Sequence, residues 1–288
     1  LRNQYAAGAP VFASIMELLV QTAPEIVLIC TPTSEHFDQV AACQQLGTHV
    51  LCEKPLADSR DRIDRLIDAA ENGPALHAIA YQRRSWATYR ALRWEVLSGR
   101  WGPVRSVTMR ATEDWQSTIG GTWRDDPQAN LGGFIGDAGS HKIDAVFFVT
   151  ELAPREVYAR SWNCGSQVDV VTLVSAVLDG DVPLNMDFIG NAGALREDLH
   201  VHCEEADLMI RDGRAWIART NQVEPIAPLE PDTNPIAAFL DALDGTAENR
   251  APFRCARPVF DFTTAIMESA AAGHCVVLTD EYRQPLRR

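Results

Sequence analysis

Alternating apolar and polar segments near the start of the chain predict a parallel sheet with helices between its strands. The apolar runs expected to form buried strands lie at residues 25–30, 48–52 and 75–81. The amphipathic segments expected to form helices lie at about 15–20, with Ser14 as its cap, and at 35–46 and 59–71. This alternation is typical of a doubly wound α/β fold, in which ligands bind beyond the carboxyl ends of the strands. We therefore expect the loops at 31–36, 53–55 and 81–84 to line one crevice.

The pattern changes at about residue 83, where a helix over 86–98 and a strand over 104–113 are predicted. Further strand-like segments lie at 155–163, 168–178, 183–190, 198–204, 207–211 and 214–219, and a last pair of helices at 235–243 and 258–272. Turns such as Asp179-Gly-Asp181 and Asp212-Gly213 are hairpin signals. We predict an incomplete Rossmann domain over residues 1–82 and an α+β substrate-binding and oligomerisation domain with a large, mainly antiparallel open sheet over 83–288.

Composition narrows the possible partners. The chain has 288 residues, 46% of them hydrophobic, and a formal net charge of −13, which argues against nucleic acid and anionic membranes as partners. No apolar run approaches the ~18 residues of a membrane span, and no signal peptide opens the chain. The seven cysteines are scattered without a CxxC pair, so we expect reduced thiols and a cytoplasmic protein.

The stretch Gly132-Gly-Phe-Ile-Gly-Asp-Ala-Gly-Ser-His-Lys-Ile-Asp144 carries the strongest candidate chemistry. If a helix begins near Gly136, Asp137 and His141 lie one turn apart on one face, and Asp144 extends that stripe. A carboxylate that orients a histidine is a common arrangement for general acid–base catalysis. From this stretch alone, a helix-capping aspartate with an incidental histidine explains the pattern equally well.

Three weaker motifs accompany it. Lys54, in Glu53-Lys-Pro55, follows a predicted strand and could reach a substrate hydroxyl, although a solvated lysine is the simpler explanation. Trp123 and Arg124 could serve a ligand or form a surface cation–π contact. His200, His202 and Glu204 would share one face of a strand, but no second ligand group has the spacing of a zinc site, so we predict no metal.

Taken in order, these segments resemble the Gfo/Idh/MocA family of NAD(P)-dependent oxidoreductases. The segments that carry the resemblance are 26–36 with its Thr-Pro loop, His49 to Ala57 with Glu-Lys-Pro, Tyr81-Gln-Arg-Arg84, Trp123-Arg124 with 132–144, and Ala265 to Ser269. The resemblance implies hydride transfer between NAD or NADP and a secondary alcohol of a sugar, polyol or related hydroxy compound.

The resemblance also implies residue roles. His141 would act as general base, Lys54 would hydrogen-bond the reacting oxygen and keep His141 neutral, and Asp137 would position the substrate and orient the site. The residues expected to contact the cofactor are Thr31, Pro32, Ser34, His36, Glu53, Lys54, Gln82, Trp123 and Arg124. A homodimer or homotetramer formed through the open sheet is expected.

The chain departs from the family at its start. It begins at Leu1, in a helix-like segment, and contains no G-x-G-x-x-G. The opening β-α-β unit of the family, roughly 40 residues with the pyrophosphate site, has no counterpart. We therefore expect a sequence truncated at its N-terminus.

Two alternatives remain at this stage. Some proteins of this superfamily cleave glycosidic bonds by transient oxidation of the sugar and would use the same Lys54, Asp137 and His141. A non-catalytic module that senses a cofactor or sugar is the second alternative, which the missing glycine-rich turn favours and the three intact residues disfavour.

Overall fold

The computed structural model describes residues 8–278, which form a three-stranded and a nine-stranded sheet. The elements of the first part are α1 (Ile15–Thr22), β1 (Ile26–Ile29), α2 (Thr33–Gln45), β2 (His49–Cys52), α3 (Arg60–Asn72) and β3 (His77–Ile79). All strands of the small sheet are parallel, in the order β1-β2-β3. The predicted α/β architecture is therefore confirmed, and the carboxyl ends of these strands lie along one edge.

Two local expectations in this part have different outcomes. Ser14 caps α1 as predicted, because its side chain accepts a hydrogen bond from the Glu17 backbone N–H. The prediction that residues 25–30 form a fully buried strand is wrong, since Leu28 is 47% exposed and only Ile29 of β1 is buried. Within residues 8–278, β1 pairs with β2 alone, so its apolar character is only partly used.

The second part begins with a 3₁₀ turn at Gln82–Ser85 and contains the larger sheet. Its helices are α4 (Ala87–Leu97), α5 (Gln116–Ile119), α6 (Ser140–Thr150), α7 (Pro235–Leu243) and α8 (Ala256–Ala272). Its strands are β4 (Val104–Asp114), β5 (Pro154–Trp162), β6 (Val171–Leu178), β7 (Val182–Ile189), β8 (Asn191–Cys203), β9 (Asp207–Arg211), β10 (Arg214–Arg219), β11 (Gln222–Pro225) and β12 (Val276–Val277).

The large sheet has the order β11-β10-β9-β8-β4-β7-β6-β5-β12. Its pairs are antiparallel except for β4 and β7, which run parallel, so the prediction of a mainly antiparallel sheet is confirmed. Strand β8 begins at Asn191, whereas the sequence predicts a start near residue 198. The prediction is late because the exposed, polar first half of β8 lacks the alternation that marks a half-buried strand. The short strand β11 is also exposed and largely polar, and β12 has only two residues, so neither is predicted from the sequence.

Helix α6 lies at the centre of the second part. Every residue of α6 is buried, and Phe147 packs edge-on against Phe262 of α8 with their ring centroids 5.6 Å apart. A helix that is buried on all sides has no polar face. Any charged side chain on α6 therefore requires a partner or a function. None of the helices within residues 8–278 has the length and apolar character needed to cross a membrane.

Candidate active site

The structure brings Lys54, from the first part of the chain, into direct contact with Asp137, from the second part. Lys54 follows β2 and is joined to Pro55 by a cis peptide bond. Its Nζ donates to Asp137 Oδ1 at 2.9 Å and to the Asp137 carbonyl oxygen at 2.7 Å. Residues far apart in the sequence therefore share one site, and both side chains are largely buried.

Each carboxylate oxygen of Asp137 accepts a hydrogen bond from a positively charged side chain. Arg124 Nε donates to Oδ2 at 2.9 Å, and Trp115 Nε1 lies 3.3 Å from the same atom. Burial would raise the pKa of Asp137, but Lys54 and Arg124 together hold it below its ordinary value. Asp137 is therefore an ionised carboxylate that positions Lys54 and Arg124.

Glycines allow close backbone packing in the segment that leads into Asp137. Gly133 has a φ of +57°, and a Cβ there would lie 2.1 Å from the Asp169 carbonyl oxygen. A Cβ at Gly136 would lie 2.0 Å from the carbonyl oxygen of Leu131. The segment then forms a π-helical turn over Ile135–Gly139, and regular α-helix begins only at Ser140. The α-helix predicted to start near Gly136 is therefore corrected to a π-turn, a feature often found at functional sites.

His141 stands beside this contact without joining it. No hydrogen bond links it to Asp137, so the Asp137–His141 pair suggested by the spacing is wrong, because Lys54 and Arg124 already occupy the carboxylate. The ring is 8% exposed, and its Nδ1 is buried with no hydrogen-bond partner among the described residues. Burial, followed by the charges of Lys54, Arg83 and Lys142, holds the pKa of His141 well below its ordinary value. The ring is therefore neutral at neutral pH, as expected of a base.

Asp144 does not extend the stripe toward the crevice. It is fully buried and forms a bidentate pair with Arg84, whose Nε lies 3.0 and 2.9 Å from its two oxygens. Arg84 also donates to the Arg250 carbonyl oxygen at 2.8 Å. This pair fastens the 3₁₀ turn to α6 and is structural.

The residues predicted to contact a cofactor lie mainly around the carboxyl ends of β1 and β2. Thr31, Pro32 and Ser34 are exposed, and Gln82 is half-buried. Glu53 is also half-buried, and its Oε2 lies 3.3 Å from the Lys54 backbone nitrogen. These positions agree with the expected crevice, and their contacts with a cofactor stay a prediction.

His36 and Trp123 have more specific surroundings. His36 is 1% exposed, and its ring nitrogens lie 2.8 Å from the carbonyl oxygens of Thr31 and Pro55, so it ties the two loops together. Any effect of His36 on a cofactor would act through those loops. Arg124 stacks 4.4 Å from the centre of the exposed Trp123 ring while it contacts Asp137, so the cation–π contact is confirmed and the role of this motif toward a ligand stays a prediction.

A second polar cluster beside His141 was not predicted from the sequence. Lys142 is 2% exposed, and its Nζ lies 3.9 Å from Glu113 Oε2 and from Glu197 Oε2. Glu197 in turn accepts two hydrogen bonds from Arg83 and one from Tyr89. Burial, reinforced by Arg83 and opposed by Glu197 and Glu113, lowers the pKa of Lys142 to about 8. The sequence signal that points to this cluster is Lys142 itself, a charged residue in a helix that is buried on all sides.

The histidines of β8 belong to a different region. His202 Nδ1 lies 2.7 Å from Asp207 Oδ1, and the rings of His200 and His202 are 6.1 Å apart. Among residues 8–278, no group of three or more His, Cys, Asp or Glu side chains is arranged to hold a metal ion.

Comparison with known proteins identifies the family. The oxidoreductase family with an NAD-binding Rossmann fold matches residues 3–81, and the C-terminal domain of the same family matches residues 89–209. The chain belongs to the Gfo/Idh/MocA family. The predicted family and fold class are thus confirmed, and the family is one of NAD-binding oxidoreductases.

Individual proteins are similar to this chain in sequence or in fold. Inositol 2-dehydrogenase from Rubrobacter xylanophilus is 31% identical over 159 residues, which are 54% of this chain and 43% of that protein. The chain thus spans less than half the length of this curated relative. An oxidoreductase domain protein from Kribbella flavida has the same fold, with a TM-score of 0.82 and 18% identity over 92% of this chain and 83% of that one. An inositol dehydrogenase homologue from Azotobacter vinelandii, complexed with NAD⁺, has a TM-score of 0.79 and 20% identity over 93% and 83% of the two chains.

Proposed function

We propose that this protein is an NAD(P)-dependent dehydrogenase that oxidises a secondary alcohol of a sugar, polyol or related hydroxy compound, or reduces the corresponding ketone. The observation that carries the proposal is the pairing of Lys54 with Asp137 beside a buried, neutral His141. Membership of an NAD-binding oxidoreductase family supports the cofactor, and the inositol dehydrogenase among its relatives supports the substrate class.

The residues divide the chemistry between them. In the oxidation, His141 takes the hydroxyl proton and Lys54 donates a hydrogen bond to the same oxygen, stabilising its developing charge. Asp137 holds the ammonium group of Lys54 in place. A nicotinamide cofactor held in the crevice would supply the acceptor for the hydride that leaves the carbon. One C–H and one O–H bond are lost, so the products are a ketone, a reduced nicotinamide and an imidazolium that returns its proton to solvent.

The residues of the crevice fit the nicotinamide end of such a cofactor. The loop of Thr31 and Ser34 is exposed at the end of β1, and Lys54 follows β2 and acts electrostatically on His141. We assign cofactor contacts to this loop, to Glu53 and Gln82, and to Arg124 with Trp123. His36 holds the Thr31 and Pro55 loops in place.

Organisation and location follow the same proposal. Residues 1–82 would form the Rossmann domain and 83–288 the substrate and oligomerisation domain of a cytoplasmic homodimer or homotetramer. The outer face of β5 and β6 exposes Tyr158, Trp162 and Leu173, which suits self-association. Light scattering that finds a monomer would refute this part of the proposal.

The test of the activity is net formation of reduced nicotinamide. Purified protein is mixed with NAD⁺ or NADP⁺ and with myo-inositol, D-glucose or a glucoside, and absorbance of the reduced cofactor is followed. Net reduction with one of these polyols is expected. Release of an aglycone without net reduction of the cofactor would instead support the alternative in which the protein cleaves a glycosidic bond by transient oxidation of the sugar. Binding of sugar and cofactor without turnover would support the sensing module.

A further inference from the structure

Lys142 is a buried cation whose hydrogen-bonding capacity is unused. Its ammonium group can donate three hydrogen bonds, yet both neighbouring carboxylate oxygens lie 3.9 Å away, beyond hydrogen-bond distance. Its other contact is the face of Phe134, 5.8 Å from the ring centre. Within the described part of the chain, Lys142 Nζ therefore has no hydrogen-bond acceptor. A buried charge left in this state is costly, and an acceptor supplied by a ligand would remove that cost.

The two carboxylates near Lys142 differ in what they offer a ligand. Glu197 is occupied by Arg83 and Tyr89. Glu113 is about one-third exposed and has no hydrogen bond to any described residue. Lys142 and Glu113 thus place a donor and an acceptor side by side, neither with a side-chain hydrogen bond to a described residue. The charge of Lys142 contributes to the lowered pKa of His141, so the pair lies near the proposed reaction site.

Charge decides which ligand group suits this pair. Arg83 and Lys142 carry two positive charges, and Glu113 and Glu197 carry two negative ones. A ligand carboxylate that contacted Lys142 would also lie against Glu113 and be repelled by it. A neutral hydroxyl avoids this repulsion, because its oxygen can accept from Lys142 while its proton is donated to Glu113. One hydroxyl oxygen can reach both atoms across a separation of 3.9 Å.

We propose that Lys142 and Glu113 together bind a hydroxyl group of the substrate other than the one that is oxidised. The pair then selects polyhydroxy substrates over simple alcohols and sets which carbon faces His141. This assignment rests on the proposed function, because it places the substrate at the same site. It adds a recognition position separate from Lys54.

Direct binding of polyols tests the assignment without requiring turnover. Isothermal titration with myo-inositol, D-glucose and glycerol is carried out on the wild type, Lys142→Met and Glu113→Gln. Arg105→Met is the control, since Arg105 is an exposed cation on the strand of Glu113 and pairs with Glu204. Each site variant should bind myo-inositol or D-glucose about 10- to 100-fold more weakly, which corresponds to the loss of a hydrogen bond to a charged group. The control should bind as the wild type does.

The outcomes separate this inference from the proposed function. Weaker polyol binding by both variants supports the pair even if the wild type catalyses no oxidation. Unchanged binding by Glu113→Gln overturns it even if the wild type is an active dehydrogenase, and so does a wild type that binds none of the three polyols. If Lys142→Met fails to fold, Glu113→Gln carries the test, because Glu113 is partly exposed and lies at the end of a strand.

Discussion

The charges of two lysines, Lys54 and Lys142, help to lower the pKa of His141, and the two side chains are held in different ways. Lys54 donates to both the side chain and the backbone of Asp137 at 2.9 and 2.7 Å. Lys142 is more deeply buried, yet its nearest carboxylate oxygens lie 3.9 Å away. The first lysine is fixed before any ligand arrives, whereas the second still has hydrogen bonds to give. Preorganised groups are suited to chemistry, and unsatisfied ones to recognition.

The pair of Arg84 and Asp144 provides a third case, with no function beyond structure. Both side chains are buried and hydrogen-bonded to each other, and His141 is not part of the pair. Burial of a charge therefore does not by itself identify a functional residue. His141 Nδ1 is one of several buried side-chain atoms without a hydrogen-bond partner among the described residues, so its position near Lys54, rather than this property alone, marks the site.

The largest effect on turnover is expected from a substitution of His141. His141→Asn should lower turnover by roughly 10²–10⁴ with little loss of cofactor affinity, because it removes the base but leaves the crevice intact. Steady-state turnover and fluorescence titration of the cofactor check the two parts. His202→Asn, on β8, is the control. Near-wild-type turnover of His141→Asn would remove His141 from the mechanism.

A substitution that breaks the Arg84–Asp144 pair should lower the stability of the fold. Arg84→Met leaves the Asp144 carboxylate buried without its partner, and we expect it to lower the free energy of unfolding by about 3–5 kcal/mol. Arg196→Met is the matched control, because Arg196 and Asp212 form an exposed pair and should contribute only about 0–1 kcal/mol. Urea unfolding measures both. Equal, small losses would mean that Arg84 is not a structural anchor.

A smaller effect is expected on polyol affinity when the pH is raised. Burial lowers the pKa of Lys142 to about 8, so its ammonium is present below that pH and is lost as the pH rises through it. The groups that face Lys142 are Arg83, Glu113, Glu197 and Lys54. Polyol affinity of the wild type should therefore fall by about three- to tenfold above pH 8, because a neutral amine is a weaker donor. In Lys142→Met this dependence should vanish, and its persistence would show that another group causes it.

Much of the fold could be predicted from the sequence because its signals are local. Apolar runs, caps and Asp-Gly turns depend on neighbouring residues, and they placed most helices and strands within a few positions. The segments that were missed, such as the first half of β8, are exposed and polar, so their pairing partner rather than their composition makes them strands. The partial exposure of β1 likewise depends on which strands lie beside it.

The site was predictable only in part, for the same reason. The resemblance to the family pointed to Lys54, Asp137 and His141, and the structure places them together. The pairing of Asp137 depends on Arg124 and on the π-turn, neither of which is visible in residue spacing. The cluster of Lys142, Glu113 and Glu197 joins α6 to β4 and β8, so only the fold could reveal it.

The most direct test of the account compares the kinetic constants of Lys54→Met and Lys142→Met on one polyol. Lys54→Met should lower kcat by about 10²–10³ with a nearly unchanged KM, since it removes a donor that acts in the transition state. Lys142→Met should raise KM at least about tenfold with kcat largely retained. Parallel losses of kcat in both variants would contradict the division of the two lysines into chemistry and recognition.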